Sequence, residues 1–319
     1  MSSIAFEVIL CALAFWFGYS ANQGGTCLVV AADELRRRRP PRMFVGFLAA
    51  SAAAGLVALP LVWSGALGGA LAASTDIHAV LLVGAAAFGF GALVNDTCLL
   101  GSLARLGDGE IRLLALPPGL ALGIIAVDHV MPDHGATWPS ILSTPSLPSL
   151  VAVGCFAIAM ALSVGFVSMK RFVLKEPRWS FAVSMIGLGA AGGALYALSP
   201  SWTISSLIQH GLPLTMSPMG EVALLAALSS ITGALVASYR KGNLRLRLPS
   251  AHGILRSLLG GTLMGVGIAL VPGGNDALIF SAMPGLSPGG IAAYLVMTAT
   301  IVLGLVVSAK LFGSNGTKA

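Results

Sequence analysis

Hydrophobic residues along this chain gather into long apolar runs and do not alternate with polar residues. The clearest runs are 43–63, 149–168, 219–238 and 289–309. As helices, each would be long enough to cross about 30 Å of hydrocarbon. The two-residue period typical of membrane β-barrel strands is missing from these runs. The pattern therefore predicts an all-α polytopic membrane protein.

Three polar segments interrupt apolar stretches at places where a lipid-facing helix should continue. They are Asn-Gln-Gly-Gly-Thr-Cys at 22–27, Asn-Asp-Thr-Cys at 95–98 and Pro-Gly-Gly-Asn-Asp at 272–276. Unpaired backbone is tolerated at membrane depth only where protein or a wet cavity surrounds it. Such breaks are typical of transport sites. Each precedes a short apolar run, so we predict re-entrant half-helices over 27–35, 99–106 and 277–283, with Thr26 as one N-cap.

Composition and charge support the same fold class. The chain has 319 residues, of which 56% are hydrophobic and 9% charged, whereas soluble domains have roughly 25% charged residues. The net charge of +6 comes mainly from short basic clusters at 36–42, 170–178 and 240–256. Such clusters indicate cytoplasmic loops, not a nucleic-acid site. They predict a cytoplasmic C-terminus, an outside N-terminus and nine spans, namely 4–19, 43–63, 79–103, 113–127, 149–168, 179–198, 219–238, 257–283 and 289–309.

The order of spans and breaks suggests that the chain contains two related halves. Each half combines a short polar segment, at 21–35 or 199–211, with a broken span, and the glycine-rich stretches 89–94 and 265–271 resemble each other. The halves cross the membrane in opposite senses in this scheme. We therefore predict a first repeat at 1–128, an outside loop and connecting helix at 129–178, and a second repeat at 179–319. The transport site of an inverted repeat is expected near the membrane midplane.

Two of the four cysteines stand at predicted half-helix N-termini. Cys27 and Cys98 each begin a short apolar run, where free backbone N–H groups and the helix dipole favour an anion. A buried thiol stays neutral and can donate a weak S–H hydrogen bond. Cys11 and Cys155 lie in ordinary apolar patterns and are interpreted as small buried hydrophobic residues.

Three motifs resemble the YeeE/YedE family. They are Gly-Tyr-Ser-Ala-Asn-Gln-Gly-Gly-Thr-Cys at 18–27 with its continuation to 35, the Cys…Arg-Leu-Gly segment at 98–110, and the glycine-rich segment at 260–287. The resemblance implies an hourglass-shaped transporter of the bacterial inner membrane for thiosulfate or related inorganic sulfur compounds. It also implies that motif cysteines pass the substrate by S–H···S contacts, and that a cytoplasmic TusA-like sulfur carrier is a partner.

The resemblance carries substrate contact to Cys27 and Cys98, but the chain departs from the family pattern elsewhere. Gly274 stands where the family usually has a third cysteine, and Asn-Asp-Thr precedes Cys98 where glycines are usual. The predicted substrate-binding residues are Gly24, Gly25, Thr26, Cys27, Asn95, Asp96, Thr97, Cys98, Gly273, Gly274, Asn275 and Asp276. No catalytic residue, cofactor or metal is predicted, because no nucleotide-binding loop, HExxH motif or Ser/His/Asp arrangement occurs.

Asp96 and Asp276 leave alternatives open, because ionised carboxylates oppose a bound anion. They could cap half-helices, carry transported protons, or favour a substrate with neutral or positive groups. Two rival functions follow: a proton-coupled transporter of another small solute, and a membrane thiol-relay or redox protein in which Cys27 and Cys98 cycle with a disulfide. The sequence leaves the oligomeric state and the energy coupling open.

Overall fold

The computed structural model describes residues 3–65, 69–128, 137–167, 181–200, 202, 218–271 and 273–312. This part of the chain is almost entirely helical. Its helices are α1 (Ser3–Gly24), α2 (Leu28–Arg36), α3 (Arg42–Ser64), α4 (Ala79–Asn95), α5 (Leu99–Gly107), α6 (Leu116–Asp128, after a 3-10 turn at Ile111–Ala115), α7 (Leu147–Val167), α8 (Phe181–Leu198), α9 (Pro218–Lys241), α10 (Ala251–Leu270), α11 (Asn275–Ala277, continued by a π-helical turn at Leu278–Ala282) and α12 (Pro288–Phe312).

Eight segments of the described chain are helical, long and apolar enough to cross a membrane, and a ninth apolar helix is shorter. This finding confirms the prediction of an all-α polytopic membrane protein. The eight segments are Ile4–Arg36, Arg42–Ser64, Ala79–Gly107, Leu147–Val167, Phe181–Leu198, Glu221–Lys241, Ala251–Leu270 and Pro288–Leu311, and the shorter helix is Ile111–Val127. The first and third segments each contain a break, which separates α1 from α2 and α4 from α5.

Small residues let the central helices approach until their backbones touch. A Cβ added to Gly91 on α4 would lie 2.6 Å from the backbone nitrogen of Met264 on α10. One added to Gly267 on α10 would lie 2.7 Å from the carbonyl oxygen of Gly84. Close packing through glycine is typical of helices that associate in lipid. The spacing of these contacts also shows that α4 and α10 run antiparallel.

The first and last parts of the chain are joined by pairs of helices with a regular pattern of directions. Gly24 lies next to Met185 and Gly187 next to Ser20, so α1 and α8 also run antiparallel. Helices α1 and α9, by contrast, run parallel, because Gly18 touches Ser230 and the carbonyl of Asn22, one turn later, accepts from Lys241. Antiparallel pairing of corresponding helices is what an inverted repeat requires. The repeat and its boundaries stay a prediction.

A short β-ribbon closes one end of the helical assembly. Strand β1 (Ser74–Thr75) pairs antiparallel with β2 (Thr137–Trp138). The backbone N–H of Thr75 also donates to the hydroxyl of Ser287, at 3.2 Å, which ties this loop to the start of α12. The predicted polar segment at 199–211 and the basic cluster at 170–178 fall largely or wholly outside the described residues.

The expectation that Cys11 and Cys155 are buried is wrong. Cys11 is half-buried and Cys155 is exposed on α7, whose residues are mostly exposed. A thiol on an apolar membrane helix needs no protein partner, because lipid offers it an equally apolar environment. Neither residue touches the segments that form the candidate site.

Candidate functional site

The three polar breaks meet in the interior of the protein. The side chains of Asn22, Thr26, Asn95, Thr97 and Asn275 are buried there. Cys27 and Cys98 are also buried, at 3% and 0% exposure, and they occupy the N-cap positions of α2 and α5. Both half-helices therefore begin inside the protein, where the predicted substrate-contacting thiols lie.

The two thiols face each other directly. The Sγ of Cys98 lies 4.0 Å from the Sγ of Cys27, within reach of a weak S–H···S hydrogen bond. The Sγ of Cys27 also lies 3.6 Å from the hydroxyl of Thr97. Sequence separations of about 70 residues are bridged here, since α2 and α5 start side by side. The first two breaks thus form one polar cluster.

Cys98 also joins the third break to this cluster. Its Sγ accepts a hydrogen bond from the backbone N–H of Leu28 at 3.2 Å. It accepts a second hydrogen bond from Nδ2 of Asn275 at 3.5 Å. The sulfur is therefore in contact with residues from all three breaks. We refer to Cys27, Cys98, Thr97 and Asn275 as the thiol cluster.

The first two breaks have the same backbone construction. A left-handed residue ends the preceding helix, Gly25 at φ +59° and Asp96 at φ +63°. The following threonine N–H then bonds back to the carbonyl five residues earlier, and the next residue is the cysteine N-cap. This hydrogen bond closes a Schellman-type turn, which satisfies carbonyls at the helix end. The motif Gly/Asp-Thr-Cys thus ends one helix and begins the next.

Thr26 does not act as the N-cap that the sequence suggested. Cys27 occupies that position, and the hydroxyl of Thr26 donates to the carbonyl oxygen of Ala21 at 3.3 Å. Because the threonine lies inside the turn, its hydroxyl faces the end of α1 and not the start of α2. Gly24 is buried, whereas Gly25 is exposed, so the left-handed glycine lies at the edge of the predicted site.

The third break places a glycine where the other two have cysteines. Gly273 adopts φ +103°, and Gly274 is the N-cap of α11. A Cβ added to Gly274 would lie 2.6 Å from Oδ1 of Asp276 and would also touch Leu99. The carboxyl group and a leucine therefore already fill the space next to this position.

Asp96 is not the buried cap considered from the sequence. Its side chain is 51% exposed and lies 3.3 Å from Nη1 of Arg105 and 3.9 Å from Nη2 of Arg256. Aspartate is among the few residues other than glycine that tolerate positive φ. The residue thus ends α4, and its carboxylate points away from the thiol cluster to exposed arginines.

Asn95 fixes the second break without touching either thiol. Its Nδ2 donates to the carbonyl of Thr97 at 3.1 Å and to the hydroxyl of Ser102 at 3.3 Å. Arg112 donates to the carbonyl oxygen of Asn95 at 3.1 Å, and Arg256 donates to that of Val94. Cationic side chains thereby satisfy carbonyls at the C-terminal end of α4.

Asp276 is buried beside the thiol cluster and does not cap α11, because the N-cap is Gly274. It is 7% exposed. Its Oδ2 accepts a hydrogen bond from the phenol of Tyr196 at 2.8 Å. Its Oδ1 has no hydrogen-bond partner in the structure as described. Tyr196 was not identified from the sequence, since a lone tyrosine in a spanning helix gives no such signal.

A cavity of about 130 Å³ extends from Asp276 between α5, α6 and α9. Its wall is mostly apolar, and Asp276 is the one ionisable side chain among the residues that line it. Leu99, the neighbour of Cys98, is also in the wall, so the cavity begins next to the thiol cluster. The lining residues are Phe17, Leu99, Leu100, Ser102, Leu103, Leu106, Leu113, Leu116, Pro117, Leu120, Trp202, Ala227, Ser230, Ile231 and Asp276.

A polar network anchors the break between α1 and α2. The Nδ2 of Asn22 donates to the carbonyl of Ala104 at 2.8 Å and to Oδ1 of Asp108 at 2.9 Å. Ser238 donates to the same carboxylate at 2.6 Å, and Lys241 donates to the carbonyl of Asn22 at 2.6 Å. The sequence identified Asn22 but not Asp108 or Lys241, whose roles depend on contacts between distant segments.

The breaks, the paired thiols and the adjacent cavity agree with the comparison to known protein families. A family model described as sulphur transport matches residues 23–303, which is well over half of the chain. A comparison with curated proteins gave no match. The matched region contains all three breaks and both thiols of the cluster. The chain belongs to this sulphur transport family, the YeeE/YedE family, and is a multi-pass membrane protein of sulfur-compound transport.

Proposed function

We propose that this protein moves thiosulfate or a related inorganic sulfur anion across the bacterial inner membrane through a site at Cys27 and Cys98. The observation that carries the proposal is the position of the two thiols, 4.0 Å apart, at the N-caps of two half-helices. Family membership supports the substrate class. The thiol pair supports a sulfur ligand in particular, because soft thiols suit soft sulfur partners.

The site would replace the hydration of the anion with weak donors from the protein. The thiols offer S–H groups, and the ends of α2 and α5 offer free N–H groups with a positive partial charge. Asn275 offers an amide donor that bonds to Cys98 in the absence of substrate. The anion would exchange hydrogen bonds with one thiol and then the other, so no covalent step is required.

Gly274 limits this proposed relay to two thiols. The third break contributes backbone and the Asn275 amide, since the carboxyl group of Asp276 and Leu99 fill the space next to Gly274. We therefore exclude Asp96, which is exposed, from the proposed contacts and retain Cys27, Thr97, Cys98 and Asn275.

The membrane arrangement forms part of the same proposal. The basic loops at 36–42 and 240–256 would face the cytoplasm, which places the N-terminus outside and the C-terminus inside. The antiparallel pairs α1–α8 and α4–α10 support two inverted repeats with the thiol cluster between them near the midplane. A TusA-like carrier would receive the sulfur compound on the cytoplasmic side.

Uptake of labelled thiosulfate into proteoliposomes tests the proposal. Cys98→Ala should abolish uptake while leaving the amount of folded protein unchanged, because it removes the sulfur that contacts all three breaks. Cys155→Ala is the matched control, since Cys155 is exposed on α7, and it should transport normally. Sulfate serves as the comparison anion. Normal thiosulfate uptake by Cys98→Ala would contradict the role of the thiol pair.

The short distance between the thiols also favours a second candidate, a redox role. A disulfide requires an S–S distance of about 2 Å, so the two sulfurs at 4.0 Å would need to approach by a rotamer change or a small backbone shift. Mass spectrometry after thiol trapping distinguishes the two functions. A redox role predicts a linked Cys27–Cys98 species during turnover, whereas the transport proposal predicts two free thiols throughout.

A further inference from the structure

The cavity beside the thiol cluster has a carboxyl group at the end nearest the cluster. Oδ1 of Asp276 has no hydrogen-bond partner among the described residues, and the cavity wall around it is mostly apolar. The volume of about 130 Å³ is roughly ten times what one water molecule needs. Asn275, the neighbour of Asp276, bonds to Cys98. A solute that leaves the thiols for the cavity would therefore pass this carboxyl group.

The groups that face Asp276 do not include a cation. From α8, Tyr196 donates to Oδ2. The ionisable residues near this point on α5 and α12 are Cys98 and Tyr294, which are both buried, and the hydroxyl of Tyr294 has no hydrogen-bond partner in the described structure. From α1, α6 and α9, the cavity wall receives apolar residues and Ser230.

The cationic side chains of the neighbouring helices are engaged elsewhere. Arg105, in the last turn of α5, pairs with the exposed carboxylate of Asp96. Arg42, at the start of α3, lies over the ring of Phe181 with its Cζ 4.3 Å from the centroid. An ionised carboxylate without a cation is disfavoured at a buried apolar site, because it loses its hydration without compensation. A protonated carboxyl group, in contrast, would have an O–H donor to offer to the cavity.

We infer that Asp276 is a proton-carrying site, and that the protein cotransports one proton with each sulfur anion. This inference rests on the proposed transport function and assigns its energy coupling. The protonated carboxyl group donates its O–H to the anion as the anion enters the cavity. An anion that met the ionised form would be repelled, so the proton must be bound whenever the anion passes. The proton leaves Asp276 on the side where the anion is released.

Accumulation of thiosulfate in proteoliposomes measures this coupling as an equilibrium property, independent of turnover rate. The membrane potential is clamped at zero and the lumen is made one pH unit more alkaline than the outside. One proton per anion then gives about tenfold accumulation, since one pH unit corresponds to about 1.4 kcal/mol. Asp276→Asn, which cannot carry the proton, should only equilibrate thiosulfate and not concentrate it.

Asp96→Asn is the matched control, because Asp96 also lies at a helix break but is exposed and paired with arginines. It should retain the accumulation of the wild-type protein. Wild-type protein that equilibrates thiosulfate without accumulation would overturn the coupling. So would an Asp276→Asn variant that still accumulates it.

Infrared spectroscopy of the purified protein tests the proton site without any transport. The wild-type protein and Asp96→Asn should show the carbonyl stretch of a protonated carboxylic acid at neutral pH, and Asp276→Asn should lack this band. Loss of carboxylate absorption instead, in Asp276→Asn, would overturn the inference. If the band is assigned to Asp276 but no thiosulfate moves in any preparation, the proposed function fails while the proton site stands.

Discussion

Gly101 leaves the room that Cys27 occupies, and Gly101→Ala tests how tightly the thiol pair is held. A Cβ at this position would lie 2.7 Å from the Sγ of Cys27 and would also overlap the hydroxyl of Thr97. Both partners of the contact between Cys27 and Thr97 would therefore have to move. The added methyl group would push Cys27 away from Cys98, because Gly101 lies on the first turn of α5.

The magnitude follows from two opposing terms. Overpacking a tight interior costs about 1–3 kcal/mol, whereas alanine gains about 1 kcal/mol over glycine within a helix. The net change is thus a destabilisation of up to about 2 kcal/mol. For the transport site, loss of one thiol hydrogen bond worth about 1 kcal/mol weakens substrate affinity about fivefold.

The assay combines thiosulfate uptake over a range of concentrations with thermal unfolding in detergent. Gly154→Ala is the matched control, because Gly154 lies on the exposed face of α7 and a Cβ there meets no other atom within 4 Å. It should leave uptake unchanged and keep or raise the unfolding temperature. Wild-type uptake and stability in Gly101→Ala would refute the close contact between α5 and Cys27 on which the site depends.

Two further changes probe the segments around the thiol cluster. Asp108→Ala removes the carboxylate that accepts from Asn22 and leaves that buried amide without one of its acceptors, so we expect about 1–3 kcal/mol less stability in detergent unfolding; unchanged stability would show that the network does not hold the first break. Gly274→Cys introduces a side chain where the carboxyl group of Asp276 and a leucine lie, so it should lower the unfolding temperature and slow thiosulfate uptake, and faster uptake with intact stability would show that a third thiol can be accommodated.

The breaks and the thiols could be predicted from the sequence because membrane helices leave few alternatives. Polar and helix-breaking residues inside an apolar run must be paired within the protein, so Asn22, Asn95 and Asn275 were expected at buried positions, where the structure places them. Cys27 and Cys98 were expected at the starts of short helices, and they occupy the N-caps of α2 and α5.

Other properties of the site depend on three-dimensional contacts that a linear pattern does not contain. Asp96 looked equivalent to Asp276, but the left-handed turn at the end of α4 exposes it to arginines. Tyr196 and Gly101 matter because of what lies across from them. Their partners come from other segments, and a residue type within an apolar helix does not indicate which neighbour it meets.

The hydrogen bonds that Cys98 already makes have a consequence for turnover. Its sulfur accepts from Leu28 and Asn275, so an arriving ion must displace internal donors before it can use them. The resting protein is thereby its own competitor, and net affinity is only the surplus of the new contacts over the old ones. A permeation pathway built in this way holds its cargo loosely and empties quickly, which favours flux over retention when the external supply is plentiful.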